Sequence, residues 1–84
     1  MQIEVQLFGA FRQFQPEPRL TLELPEGASV TDVRRALAAH AAAHWPRCPA
    51  GLLDATALAS AEAVLDESAP APTRLAVLPP VSGG

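Results

Sequence analysis

An α+β fold, a mixed sheet of four to five strands covered by one main helix, follows from three features of this sequence. Apolar and polar residues alternate at both ends of the chain, which marks strands. Between them, a capped stretch with apolar residues three to four apart marks one helix. The first and last strand patterns are the strongest, and each needs a paired neighbour, so they belong side by side and parallel.

The elements follow in order. From Gln2 to Phe8, residues Ile3, Val5 and Leu7 alternate with Gln2, Glu4, Gln6 and Phe8. Gly9 breaks this strand, and the stretch through Pro16 and Pro18 reads as a connection. Leu20, Leu22 and Leu24 then alternate with Thr21 and Glu23, giving a hairpin partner with a long loop. Pro25-Glu26-Gly27 ends it. Ser29 stands three residues before Asp32, a capping box with Asp in place of Glu, and Val30, Val33, Leu37 and either His40 or Ala41 form one helix face. Pro46 ends the helix near His44 or Trp45, because the residue before proline disfavours helix. Arg47 to Asp54 reads as a loop with room for a short turn. Leu58 to Ser60 is a short strand, Val64-Leu65 a second edge strand after a turn at Ala61-Glu62, and Asp66 to Pro72 a loop. Arg74 to Leu78 is the last strand, with Leu75 and Val77 inward, stopped by Pro79-Pro80. Phe8 and Leu78 then lie at the carboxyl ends of neighbouring strands and point away from the helix, an apolar pair that marks a docking surface.

At 84 residues the chain is one domain, which buries roughly two thirds of its unfolded surface. Residues 1–80 read as the folded domain and 81–84 as a flexible tail. The core is built from Leu, Val and Ile with alanine as filler, leaving little room for an internal substrate cavity; this argues against a self-contained enzyme and for action with a partner. The six basic residues are all arginines, Arg12, Arg19, Arg34, Arg35, Arg47 and Arg74, scattered through a chain of net charge −3. No phosphate-binding stripe arises, so nucleic acid is not expected as a partner. With no lysine, the chain offers no side-chain amine to an isopeptide bond. The single Cys48 excludes an internal disulfide and reads as a loop or half-buried thiol. No leader or membrane-length apolar run is seen, which points to the cytoplasm and no membrane partner.

Few residues offer chemistry. His40 and His44, four apart, share a helix face as two metal ligands would, but the Glu and third ligand of an H-E-x-x-H site are missing, so no metal is expected. His44 fits better as a cation at the helix carbonyl end. Ser82 lacks a nearby histidine and is not a nucleophile. The end of the sequence is the distinctive candidate. After Pro79-Pro80 come Val81-Ser82-Gly83-Gly84, a thin probe on a stiff base, and glycine lets a partner close around the backbone. A terminal carboxylate titrates near about 3.5, so it is an anion and a poor electrophile until activated. Conversion by ATP to an acyl adenylate followed by attack of a sulfur donor would leave a thiocarboxylate on Gly84. Gly9, Gly27 and Gly51 are isolated and form no ATP-binding loop, so a separate enzyme would perform the activation.

Three stretches together resemble a known family: Leu7-Phe8-Gly9-Ala10-Phe11-Arg12, Gly27-Ala28-Ser29-Val30, and Leu75-Ala76-Val77-Leu78-Pro79-Pro80-Val81-Ser82-Gly83-Gly84. They are similar to the small subunit of molybdopterin synthase, the MoaD-like sulfur carriers of the ubiquitin-like β-grasp group. The Pro-Pro-Val-Ser-Gly-Gly ending is the most specific match. Thiamine-pathway carriers, of the ThiS type, share the fold and the Gly-Gly end but usually lack this proline-bearing approach. The resemblance implies that Gly84 is adenylated by an activating enzyme related to ubiquitin E1 and thiocarboxylated from a persulfide donor. The tail then enters the large subunit of molybdopterin synthase and gives its sulfur to cyclic pyranopterin monophosphate, building the dithiolene of the molybdenum cofactor. On this reading the chain is a non-catalytic carrier that binds no cofactor itself. Gly84 carries the sulfur, and Phe8, Leu78, Pro79, Pro80, Val81, Ser82 and Gly83 meet the partner. The chain departs from the family in having Pro72-Thr73 where a Gly-Asp turn is usual, and Ser60-Ala61-Glu62 where an Asn-Gly-like turn is usual. The same terminal chemistry serves other expectations: sulfur delivery in thiamine, tRNA-thiolation or amino-acid pathways, or a ubiquitin-like modifier joined to lysines. An adaptor that binds through its apolar patch alone is a further one.

Overall fold

A computed structural model describes residues 1–49, 51–60 and 63–78. β1 (Gln2–Leu7) and β2 (Arg19–Glu23) pair antiparallel from Gln2↔Glu23 to Gln6↔Arg19. The main helix α1 (Val30–His44) follows, then a one-turn helix α2 (Leu52–Ala55), a three-residue strand β3 (Ala57–Ala59), and β4 (Arg74–Leu78). The sheet order is β2-β1-β4-β3. β4 runs parallel to β1, as the two strongest strand patterns imply, with Val5 beside Leu75 and Leu7 beside Val77. β3 closes the other edge, antiparallel to β4.

Strand parity decides what the helix covers. Ile3, Val5 and Leu7 of β1, Leu22 of β2, Leu58 of β3 and Leu75 and Val77 of β4 are buried together with Val30, Val33, Leu37 and Ala41 of α1. The ambiguity between His40 and Ala41 resolves to Ala41, with His40 half-buried beside it. The start of α1 is the capping box read from the sequence: the Asp32 amide donates to Ser29 Oγ at 3.3 Å and the Ser29 amide to Asp32 Oδ2 at 2.9 Å. That backbone donor, first, and the Ser29 hydroxyl and Arg35 after it hold the Asp32 carboxyl below the usual carboxylate range.

Five expectations need correction. The connection after β1 contains a 3-10 helix, Gly9–Gln13, in which Gly9 takes φ 59° and turns the chain back so that Phe11 enters the core. The core is consequently not only aliphatic. Phe11, Phe14 and Trp45 cluster with ring centroids 5.7 to 6.1 Å apart, and Trp45 Nε1 donates to Gln15 Oε1. The loop from Arg47 holds α2, whose preceding residue Gly51 takes φ 88°. The short strand sits one residue earlier than read, and Val64-Leu65 is not a strand. It is an isolated bridge, Ala59↔Val64, with the Leu65 amide donating to the Leu58 carbonyl at 2.7 Å. The turn at Ala61-Glu62 lies outside the described residues.

The loop between that bridge and β4 is tied to the helix. The Val30 amide donates to the Ala69 carbonyl and the Thr31 amide to the Glu67 carbonyl, both at 3.0 Å, satisfying amides that the first helical turn leaves free. Arg34 makes the central clasp. Its guanidinium forks onto both Glu67 carboxylate oxygens at 2.8 Å and also donates to the carbonyls of Leu53 and Thr56. That pairing holds the Glu67 carboxyl below its ordinary range and raises the guanidinium further.

Candidate functional site

The uncovered sheet face is the other half of the same strand parity. With Leu7 and Val77 inward, the next residues Phe8 and Leu78 come outward at the carboxyl ends of adjacent parallel strands. Phe8 is 43 % exposed and Leu78 39 %; only Val64 joins them among large exposed apolar side chains of the described residues. The expected apolar pair is thus brought together geometrically. Ala59 and Ala76, small and opposite one another on β3 and β4, leave the surface beside it low.

Phe8 stands as a ridge between two hollows. One, of about 490 Å³, is bordered by Phe8, Arg12, Pro18 and Arg19; the other, of about 390 Å³, by Phe8, Ala59, Arg74 and Leu78. Glu4 lies behind the ridge on the same face, its two carboxylate oxygens pairing with Arg19 at 3.4 Å and Arg74 at 3.1 Å. These charged residues were not singled out from the sequence, although parity carries the signal: Glu4 and Gln6 share a strand face with Phe8, and Arg74 shares one with Leu78.

The structure brings the chain to Leu78, and the predicted site residues Pro79, Pro80, Val81, Ser82, Gly83 and Gly84 lie outside the described residues. The other chemical candidates sit elsewhere. The His40 and His44 rings are 4.6 Å apart, with His40 edge-on to Trp45; burial and the neighbouring His44 push His40 below an ordinary imidazole. Cys48 is half-buried next to α2, and burial pushes its thiol up, away from the reactive thiolate. Among the described residues no three metal-ligating side chains converge, and no helix is long and apolar enough to cross a membrane.

No protein-family model and no curated protein matches the sequence. Solved structures do match. SAMP1 from Haloferax volcanii superposes with a TM-score of 0.74 over 100% of both chains, at 22% identity. The Haloferax volcanii HVO 2177 protein, solved in solution, gives 0.70 over 100% of this chain and 87% of its own, at 26% identity. The fold is a ubiquitin-like β-grasp. Its hallmark is visible directly: a mixed sheet with first and last strands parallel at its centre, wrapped around one main helix. In this β-grasp Phe8 directly follows β1 and Leu78 is the last residue of β4, so the pair stands at the carboxyl ends of the two central strands.

Proposed function

We propose that the chain is a sulfur carrier that works through the carboxylate of Gly84, serving as the small subunit of molybdopterin synthase. One observation carries the reading. The parallel pairing of β1 and β4 sets Phe8 and Leu78 side by side on the uncovered face, immediately before Pro79-Pro80-Val81-Ser82-Gly83-Gly84. An apolar platform at the root of a narrow tail fits a protein that docks by its sheet and presents its end to a partner's active site. The β-grasp fold shared with the two Haloferax structures supports the coarser part of this reading, a ubiquitin-like carrier or modifier. The resemblance of the ending supports the finer part.

The chemistry divides between this chain and its partners. A carboxylate oxygen of Gly84 attacks the α-phosphorus of ATP in a separate E1-like enzyme, and pyrophosphate leaves. The outer sulfur of a persulfide donor then attacks the acyl carbon and AMP leaves; a second thiol cleaves the resulting acyl disulfide, becoming part of a disulfide itself, and frees the thiocarboxylate. In the large subunit that sulfur is the nucleophile toward cyclic pyranopterin monophosphate. On this reading side-chain catalysis belongs to the partners.

Intact-mass measurement after incubation with ATP, the activating enzyme of the same cell and a persulfide donor tests this directly. Exchange of one oxygen for one sulfur is the expected result, and molybdopterin should form once the large subunit and pyranopterin are added. An unchanged mass with an enzyme shown to be active rejects the carrier. A verified thiocarboxylate that yields no molybdopterin redirects the sulfur to another acceptor, such as those of thiamine, tRNA-thiolation or amino-acid pathways. A Gly-Gly remnant on a target lysine assigns the same activated end to a protein modifier.

A further inference from the structure

We infer that His40 and His44 form a two-ligand site for a late first-row divalent cation, Zn2+, Ni2+ or Cu2+, at the carboxyl end of α1. The site belongs to the helix rather than to the open sheet face, so it stands or falls apart from the proposed function.

Spacing and ring geometry carry the inference. Residues four apart on a helix lie one above the other. The two imidazole centroids are 4.6 Å apart, with their planes at 43°. Two nitrogens bound to one such ion lie roughly 3 Å from each other, because each metal–nitrogen bond is about 2.0–2.1 Å. A turn of the exposed His44 side chain is enough to bring one nitrogen of each ring to that spacing. His40 is the steadier partner: it is half-buried, with its ring edge-on to Trp45 at a centroid distance of 5.2 Å, which narrows its rotamers before a metal arrives. One ligand is held in place and the other closes on the ion.

The surroundings favour a cation of this class. His44 is the last residue of α1, where the carbonyl end of the helix carries partial negative charge. Ala36 and Ala43, four before and three after His40, bring only methyl groups beside the pair. Burial and His44 hold His40 below an ordinary imidazole, so near neutrality it offers the unprotonated nitrogen that a metal requires. Imidazole suits zinc, nickel and copper, whereas magnesium and calcium take oxygen ligands. The expectation of no metal rests on a missing third ligand, and none converges here among the described residues. That lack excludes a closed or catalytic centre, but two imidazoles suffice for an open chelate whose other positions water fills. Its effect is to tie the last turn of α1 to the turn before it.

The test is titration of the untagged chain, stripped with EDTA and dialysed, with NiCl2 at a pH of about 7.5, above the imidazole range. Trp45 is the reporter, being the single tryptophan and lying against His40. Its fluorescence should change saturably with a Kd of about 0.1 mM or tighter, and about 1 mM NiCl2 should then raise the folding equilibrium constant in urea about tenfold, the factor being 1 + [metal]/Kd. H44Q alters an exposed ring, so its circular dichroism in EDTA should match that of the unaltered chain, while its metal affinity should fall about tenfold or more. C48S should bind as the unaltered chain does. No saturable response of the unaltered chain below about 1 mM NiCl2 overturns the inference. A response that H44Q retains in full also overturns it, as does one that C48S abolishes, since either places the metal on other ligands.

Discussion

The two faces of one sheet are built from the same strands, and alternate residues of β1 and β4 serve opposite purposes. Ile3, Val5, Leu7, Leu75 and Val77 turn toward α1 and are almost fully buried, so their identities answer to packing. Glu4, Gln6, Phe8, Arg74, Ala76 and Leu78 turn the other way, where no element of the described chain covers them. The fold does not need Phe8 or Leu78 to be apolar. Phe8 and Leu78 contribute little to packing and still oppose solvation, and that separation is why the open face is the candidate site.

Two phenylalanines three positions apart expose the difference most sharply. Phe11 is fully buried against Phe14 and Trp45, whereas Phe8 is 43 % exposed. F11A should lower the unfolding free energy by about 3–5 kcal/mol, as large-to-small changes in packed cores do, measured by urea titration. F8A should cost no more than about 1 kcal/mol in the same titration, since much of its ring is already in water. A large loss from F8A would make the open face part of the core and break the distinction. The next effect in size belongs to the Arg34 clasp. R34M keeps an apolar stem but removes the donors for Leu53 O, Thr56 O and Glu67, and should cost about 2 kcal/mol. E67Q removes the charge of an exposed partner and one of the two oxygens that accept from Arg34, and should cost about 0.5–1 kcal/mol.

Sequence periodicity made the sheet legible wherever it was unbroken. The Ile3-Val5-Leu7 and Leu75-Val77 alternations identified the central pair and its direction, and Ser29 with Asp32 marked the helix start to the residue. Periodicity failed where stabilisation comes from single contacts between distant residues. Gly9–Gln13 offers no repeat, only one aromatic that reaches the core, so it read as a connection. The stretch from Leu52 to Leu65 is alanine-rich in sequence, and what ties down its described residues is Arg34 donating to the Leu53 and Thr56 carbonyls and the Leu65 amide donating to Leu58. The apolar part of the candidate site was legible for the same reason as the strands, while the arginines beside it were not: Arg12, Arg19 and Arg74 are scattered in sequence and come to border the hollows beside Phe8 only in the fold.

The smallest expected effect concerns pH, and it also separates the faces, because the groups that respond lie on the helical side. His40 is held below an ordinary imidazole, first by burial against the helix end and then by His44. The unfolded chain therefore binds a proton near about 6.5 that the folded chain refuses until lower pH, so this contribution to stability is present above that range and is lost as the medium is acidified through it. Asp32 and Glu67, held down by Ser29 and Arg34 respectively, act with the same sign further into acid: their stabilisation is complete above the usual carboxylate range and disappears below it. Urea titrations at successive pH values should give an unfolding free energy that rises from acid toward neutrality. H40Q should flatten the upper part of that rise and leave the carboxylate part in place. Removing the neighbouring charge with H44A should move the His40 resonance back toward the free imidazole in an NMR titration. A His40 resonance that titrates at or above the free value would instead require an anionic partner for the ring, and the rise in stability would then reverse sign in that window.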